Sequence, residues 1–120
     1  MGAGNVTAAL VYWSDLDDQP MRLLVHMAVV ALDEPRHGSE ARRYFGGRRA
    51  MAEALFGPLP SDEATDTYSV QRLAAVYRRT TRIVAQLIKV GAIKVARREG
   101  RGRSREYALL LDRDTGNGWQ

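Results

Sequence analysis

The sequence contains no cysteine, which excludes disulfide bonds, thiolate nucleophiles and cysteine-ligated zinc. Only two histidines are present, His26 and His37, and their spacing matches neither a metal-binding motif nor a nucleophile–base pair. The acidic residues Asp15, Asp17 and Asp18 precede a predicted helix start, where carboxylates favour the helix dipole, so we do not interpret them as a metal-nuclease site. We therefore expect neither an enzyme nor a cofactor.

Long hydrophobic runs are also lacking. The longest apolar stretch, residues 23–32, is about half the roughly 20 residues that a membrane span needs, and His26 interrupts it. Residues 1–6 have neither the basic start nor the apolar run of a secretion signal. These features predict a cytoplasmic protein without a membrane partner.

Lysine is scarce, since only Lys89 and Lys94 accompany sixteen arginines. Codon usage alone can produce this bias, although arginine does supply forked donors that suit guanine and phosphate. The charge is unevenly placed: residues 69–106 hold eleven Lys and Arg against two Asp and Glu, whereas residues 1–68 hold six against ten. This asymmetry favours a polyanion docking on the C-terminal half.

The length of 120 residues indicates one domain, which we place at residues 1–112, followed by a flexible polar tail at 113–120. Residues 10–13 form an apolar patch that we expect to pack onto the domain. The first long helix should begin at Asp18 or Gln19, because Pro20 suits the first turn, and should run to about Leu32. Residues 42–45 predict a short strand, and residues 48–56 a second helix that Gly57-Pro58 ends.

A long third helix is predicted to start at Ser61 or nearer Ser69, to reach Val90 and to stop at Gly91. The residues expected on its apolar face are Val70, Leu73, Tyr77, Val84, Leu87 and Ile88. Alternating residues at 93–97 and 106–111 then predict a β-hairpin whose turn, residues 98–105, is rich in arginine.

The segment Ile83-Val84-Ala85-Gln86-Leu87-Ile88-Lys89-Val90-Gly91-Ala92-Ile93, followed by a basic turn and Glu106-Tyr107-Ala108-Leu109, resembles the ending of winged helix-turn-helix domains. Tyr44-Phe45-Gly46-Gly47, with Ala50, Ala52 and Leu55, further resembles small helix-turn-helix proteins of actinobacterial phages, plasmids and chromosomes. The resemblance spans roughly residues 20–111 and implies a mainly α fold with a β-hairpin wing, in the order α-β-α-α-β-β. The stretch from Gly57 to Tyr68 is longer than the tight turn of the basic motif.

This resemblance implies sequence-specific binding to double-stranded DNA, as a transcriptional regulator or a replication or partition factor acting on the nucleoid. The third helix would enter the major groove, and the wing would touch phosphates or the minor groove. The candidate base-reading residues are Arg78, Arg79, Thr81 and Arg82, with Gln86 a weaker one. The candidate wing contacts are Arg97, Arg98, Arg101, Arg103 and Arg105, where Gly100 and Gly102 allow a close approach of the backbone.

Two alternatives stay open, because the fold does not fix the ligand: a winged helix that binds another protein, or one that binds RNA. We expect a homodimer on DNA, since one small helix-turn-helix reads few base pairs. Residues 10–13 and the first long helix are the predicted seam. No small-molecule ligand is expected.

Overall fold

The computed structural model describes residues 3–31, 42–97 and 105–112. The helices and strands within these residues are α1 (Ala3–Tyr12), α2 (Asp18–Val30), β1 (Arg43–Tyr44), α3 (Arg48–Phe56), α4 (Thr67–Lys89), β2 (Ile93–Arg97) and β3 (Glu106–Leu109). From α2 onward the order is the predicted α-β-α-α-β-β, and α1 is an additional helix that includes residues 10–12 of the apolar patch. Within the described ranges, no helix is long and apolar enough to cross a bilayer. The fold is therefore mainly helical with a small sheet.

The sheet has three antiparallel strands in the order β1-β3-β2. Central β3 is buried along its whole length, as expected for a strand paired on both sides. The first strand is shorter than the predicted 42–45 at both ends. At its start, Arg42 adopts a left-handed backbone with φ of 59°, which residues other than glycine rarely adopt and which does not continue a strand. β3 ends at Leu109 rather than at residue 111, although Leu111 is fully buried.

Helix α2 is the central helix, because it packs against α1, α3 and α4. Its buried residues are Pro20, Leu23, Leu24, Met27 and Ala28. The buried core that they share with the other elements extends from Ala8 in α1 to Leu111 after β3. Val29 and Val30 at the end of α2 remain exposed, so the apolar residues of this helix are not all buried at its last turn.

Asn5 in α1 and Trp13 just after it are buried side chains that bond to the rest of the fold. The Asn5 side-chain amide donates hydrogen bonds to the carbonyl oxygens of Ala28 and Ala31, at 3.4 and 3.1 Å. The Trp13 indole N–H donates to the Leu110 carbonyl at 3.2 Å. These bonds occupy carbonyl groups at the end of α2 and after β3, so α1 packs within the same chain.

The start of α4 lies near Ser69 rather than at Ser61. Asp66 is the N-cap residue, and its carboxylate accepts the Ser69 N–H at 2.9 Å, which lowers the pKa of Asp66. The Ser61 hydroxyl accepts the Glu63 N–H at 3.1 Å, so it caps one isolated turn and no helix continues from it. The Ser61 alternative was wrong, because the same capping chemistry also stabilises a turn.

The connection before α4 is held against α3 and α4 by Asp62. This carboxylate accepts a hydrogen bond from the Tyr77 hydroxyl at 2.7 Å and pairs with the Arg49 guanidinium at 3.2 Å. Arg49 also donates to the Leu59 carbonyl at 3.1 Å. The long connection is thus a defined structure that fixes the start of α4 relative to α3.

Helix α4 buries a somewhat different face from the predicted one. Val70 and Ile88, expected in the core, are 49% and 38% exposed, and Tyr77 is half-buried. The buried residues of this helix are Leu73, Val76, Thr80, Ile83, Val84 and Leu87. The Thr80 hydroxyl is satisfied within the helix by the Val76 carbonyl at 2.9 Å, which explains why a threonine is tolerated there. The helix ends at Lys89, and Gly91 takes the left-handed φ of 87° that stops it.

Candidate nucleic-acid interface

The exposed surface of α4 has a centre and two flanks. At about 100° per residue, Arg78 and Arg82 lie opposite the buried stripe and point away from the core. Thr81 lies on one flank, whereas Arg79 lies on the other, roughly 160° away around the helix. Gln86 shares the flank of Arg79, so the predicted base-reading residues occupy the centre and both flanks of this surface.

A groove shows which flank faces the hairpin. It has a volume of about 540 Å³ and lies between the start of α3, the C-terminal half of α4 and the first residues of β3. Its lining includes Thr81, Ala85 and Ile88 from α4 together with Arg105 and Tyr107 from the hairpin. The structure therefore brings Thr81 and Arg105 to one cleft, on the side of α4 opposite Arg79.

Arg48, which was not among the predicted site residues, also lines this groove. Its guanidinium carbon lies 4.1 Å from the centre of the Tyr77 ring, a cation–π stack. Arg48 occupies the first position of an i, i+3, i+4, i+7 stripe with Met51, Ala52 and Leu55, and these three are buried. The position of Arg48 in this otherwise apolar stripe was the sequence signal that its side chain faces a neighbouring helix.

At the base of the hairpin, Glu106 pairs with two arginines. Its carboxylate oxygens lie 3.0 Å from the Arg43 guanidinium in β1 and 3.0 Å from that of Arg97 in β2. The Glu106 side chain is 10% exposed, whereas that of Arg97 is 56% exposed. Arg97, predicted to contact phosphate, thus already shares a carboxylate within the sheet.

The remaining predicted wing residues, Arg98, Arg101 and Arg103, lie outside the described residues. Their predicted role as phosphate contacts stays a prediction. Since β2 and β3 pair from Ile93 opposite Leu109 to Arg97 opposite Glu106, the two strands form the predicted hairpin up to the edge of this segment.

Half-buried His26 and buried Tyr44 form a polar pair at the start of α3, where the Tyr44 hydroxyl also donates to the Gly47 carbonyl at 3.5 Å. The His26 Nε2 atom lies 2.9 Å from the Tyr44 hydroxyl, and their rings meet edge to face. Burial lowers the pKa of His26; burial, with a smaller contribution from Tyr107, raises the pKa of Tyr44 to about 12. His26 is therefore a half-buried residue that is hydrogen-bonded within the fold.

The described residues contain no group of three or more histidine or acidic side chains arranged to hold a metal ion. Compared with models of known protein families, with curated proteins and with solved structures, the chain matches none of them.

Proposed function

We propose that this protein is a winged helix-turn-helix domain that binds double-stranded DNA. One observation carries the proposal: the exposed surface of α4 has Arg78 and Arg82 at its centre, and its Thr81 flank lines one groove with Arg105 at the base of the hairpin. A single helix is narrow enough to enter the major groove, and a hairpin beside it can reach the flanking backbone. The net positive charge of residues 69–106 is complementary to the negative charge of DNA.

Within this proposal, α4 residues have separable roles. Arg78 and Arg82 are the candidates for forked hydrogen bonds to guanine, and Thr81 for a contact with a neighbouring base. Arg79 and Gln86 would contribute only charge or polarity at the far side. The wing arginines Arg97, Arg98, Arg101, Arg103 and Arg105 would bind phosphates, which carry no sequence information.

The proposal includes a homodimer on DNA, with exposed apolar side chains of α1 and α2 as the seam. Leu10, Val11, Val29 and Val30 are each at least 45% exposed. Trp13 does not belong to this seam, because it is 3% exposed and packs within its own chain. Light scattering with and without duplex DNA tests the dimer, and a monomer in both states would contradict it.

Two neighbouring arginines provide a matched test of the DNA-binding face. Duplexes recovered by selection from genomic fragments are titrated against Arg78→Ala and Arg79→Ala, beside a scrambled duplex. Arg78→Ala should cost about 1–3 kcal/mol on the selected duplex and much less on the scrambled one. Arg79→Ala removes the same charge from the far flank and should weaken both duplexes slightly and equally. Equal losses of discrimination for the two variants would contradict the assigned face.

The wing is tested by a different signature. Arg101→Ala with Arg103→Ala should weaken binding to both duplexes together and reduce the salt slope by about one for each phosphate that is no longer bound. Weaker binding to the selected duplex alone would instead assign base reading to the wing. Tighter binding to structured RNA than to duplex DNA would favour the RNA alternative. Absence of binding to any nucleic acid would favour the protein alternative.

A further inference from the structure

The groove between α3, α4 and β3 combines an apolar floor with cations from two different elements. Met51, Val84 and Tyr107 supply buried apolar surface, and Ala85 and Ile88 supply exposed apolar surface. Arg48 from α3 and Arg105 from the hairpin lie in the same lining. A sugar–phosphate strand would complement this lining, because its sugars are weakly polar and its phosphates are anionic.

The stacking of Arg48 on Tyr77 leaves its hydrogen-bond donors directed sideways. Cation–π contact uses the flat face of the guanidinium, whereas the N–H groups lie in its plane. Tyr77 is itself held by its hydrogen bond to Asp62. The guanidinium is thus pre-oriented by a ring that is fixed, which lowers the entropy lost when it binds an anion.

The adjacent Arg49 provides a contrast. It pairs with Glu53 at 3.4 Å and with Asp62 at 3.2 Å, so two carboxylates already occupy it. Arg49 therefore holds the connection before α4, whereas Arg48 lies at the groove.

We propose that one strand of the bound duplex lies in this groove, with a phosphate on the in-plane N–H groups of Arg48. This inference rests on the proposed DNA-binding function. It adds a contact between α3 and a DNA phosphate to the phosphate contacts proposed for the hairpin. It places the strand between the helix that reads bases and the wing. Thr81 and Ala85 would then face the edge of the major groove next to that strand.

The test compares Arg48→Ala with Arg49→Ala on the selected and the scrambled duplex over a range of salt. Arg48→Ala should reduce affinity several-fold on both duplexes and lower the salt slope by about one. It should leave the unfolding temperature nearly unchanged, because Arg48 is exposed. Arg49→Ala should instead lower the unfolding temperature and retain the salt slope. Arg48→Lys, which keeps the charge but not the fork, should recover affinity only in part.

Single neutral methylphosphonate groups placed along the selected duplex locate the contact. At one position the substitution should weaken wild-type binding and have no further effect on Arg48→Ala. Ala85→Glu, which adds a carboxylate to the groove floor, should weaken binding at least tenfold, whereas Ala3→Glu on α1 should not.

Three results would overturn the inference. If wild type binds DNA but Arg48→Ala has the same affinity and salt slope, the strand lies elsewhere and the proposed function stands. If Ala85→Glu dissociates a dimer rather than DNA, the groove is an interface between copies of the chain. If wild type binds neither duplex, the proposed function and this inference fail together.

Discussion

Glu106→Gln should have opposite effects on folding and on DNA binding. The carboxylate is 10% exposed and lies 3.0 Å from both Arg43 and Arg97. Glutamine keeps the shape but removes the charge, so it weakens the charge-assisted hydrogen bond from Arg43 and the ion pair with Arg97 at once. Such bonds are worth about 1.5–3 kcal/mol when shielded from water.

The cost is smaller here because water solvates the freed arginines. Arg97 is 56% exposed and Arg43 is 25% exposed, so neither becomes a fully buried unpaired charge. We expect a loss of about 1–2 kcal/mol in the free energy of unfolding. For a chain of this length that corresponds to a fall of about 4–8 °C in Tm.

The same substitution should tighten DNA binding at low salt. Without Glu106 the Arg97 guanidinium becomes available to phosphate, so the salt slope should rise by up to about one unit. Anisotropy titrations and thermal unfolding measure the two effects separately. In an Arg97→Ala background the gain in affinity should disappear. Unchanged Tm, or an affinity that falls with stability, would refute this role of the Glu106 carboxylate.

Three further substitutions test contacts of the buried core. A Cβ at Gly46 would lie 2.5 Å from the hydroxyl of the buried Tyr44, so Gly46→Ala should cost about 1–3 kcal/mol in unfolding experiments; a neutral effect would show that Tyr44 can move. Burial lowers the pKa of the His26 imidazole below 6.5, so the unfolded chain binds this proton at a higher pH than the folded chain does. Tm should therefore fall as the pH drops through about 6.5, and His26→Gln should make this fall smaller. Trp13→Phe leaves the Leu110 carbonyl without its indole donor and should cost about 1–2 kcal/mol by denaturant unfolding, whereas no loss would indicate that water replaces the bond.

Local signals in the sequence predicted much of the fold. Pro20 marks the first turn of α2, Gly57 follows the end of α3, and Gly91 stops α4, and each has a conformational reason that does not depend on distant residues. The alternation after Gly91 likewise predicted the hairpin. Helix α1 was not predicted, because its Gly- and Ala-rich start carries little amphipathic signal and its packing depends on Asn5 and on distant partners.

The candidate site was harder to predict because it depends on which side of α4 the hairpin covers. Arg78 and Arg79 lie about equally far from the apolar face that the sequence predicts, so the observed buried stripe and the groove with Arg105 were needed to distinguish their sides. The pairing of Arg97 with Glu106 depends on the register of β2 and β3, which the sequence does not specify across a long turn. Arg48 could not be predicted as a site residue without knowing the position of Tyr77, which lies in another helix.

Sequence-specific DNA binding is best tested by titrating the wild-type protein with a selected genomic duplex and its scrambled counterpart over a range of salt. We expect tighter binding to the selected duplex at every salt concentration. We also expect a log–log salt slope of several units, because roughly five to eight phosphates are contacted per protomer. A flat salt profile, or equal affinity for both duplexes, would contradict sequence-specific DNA binding.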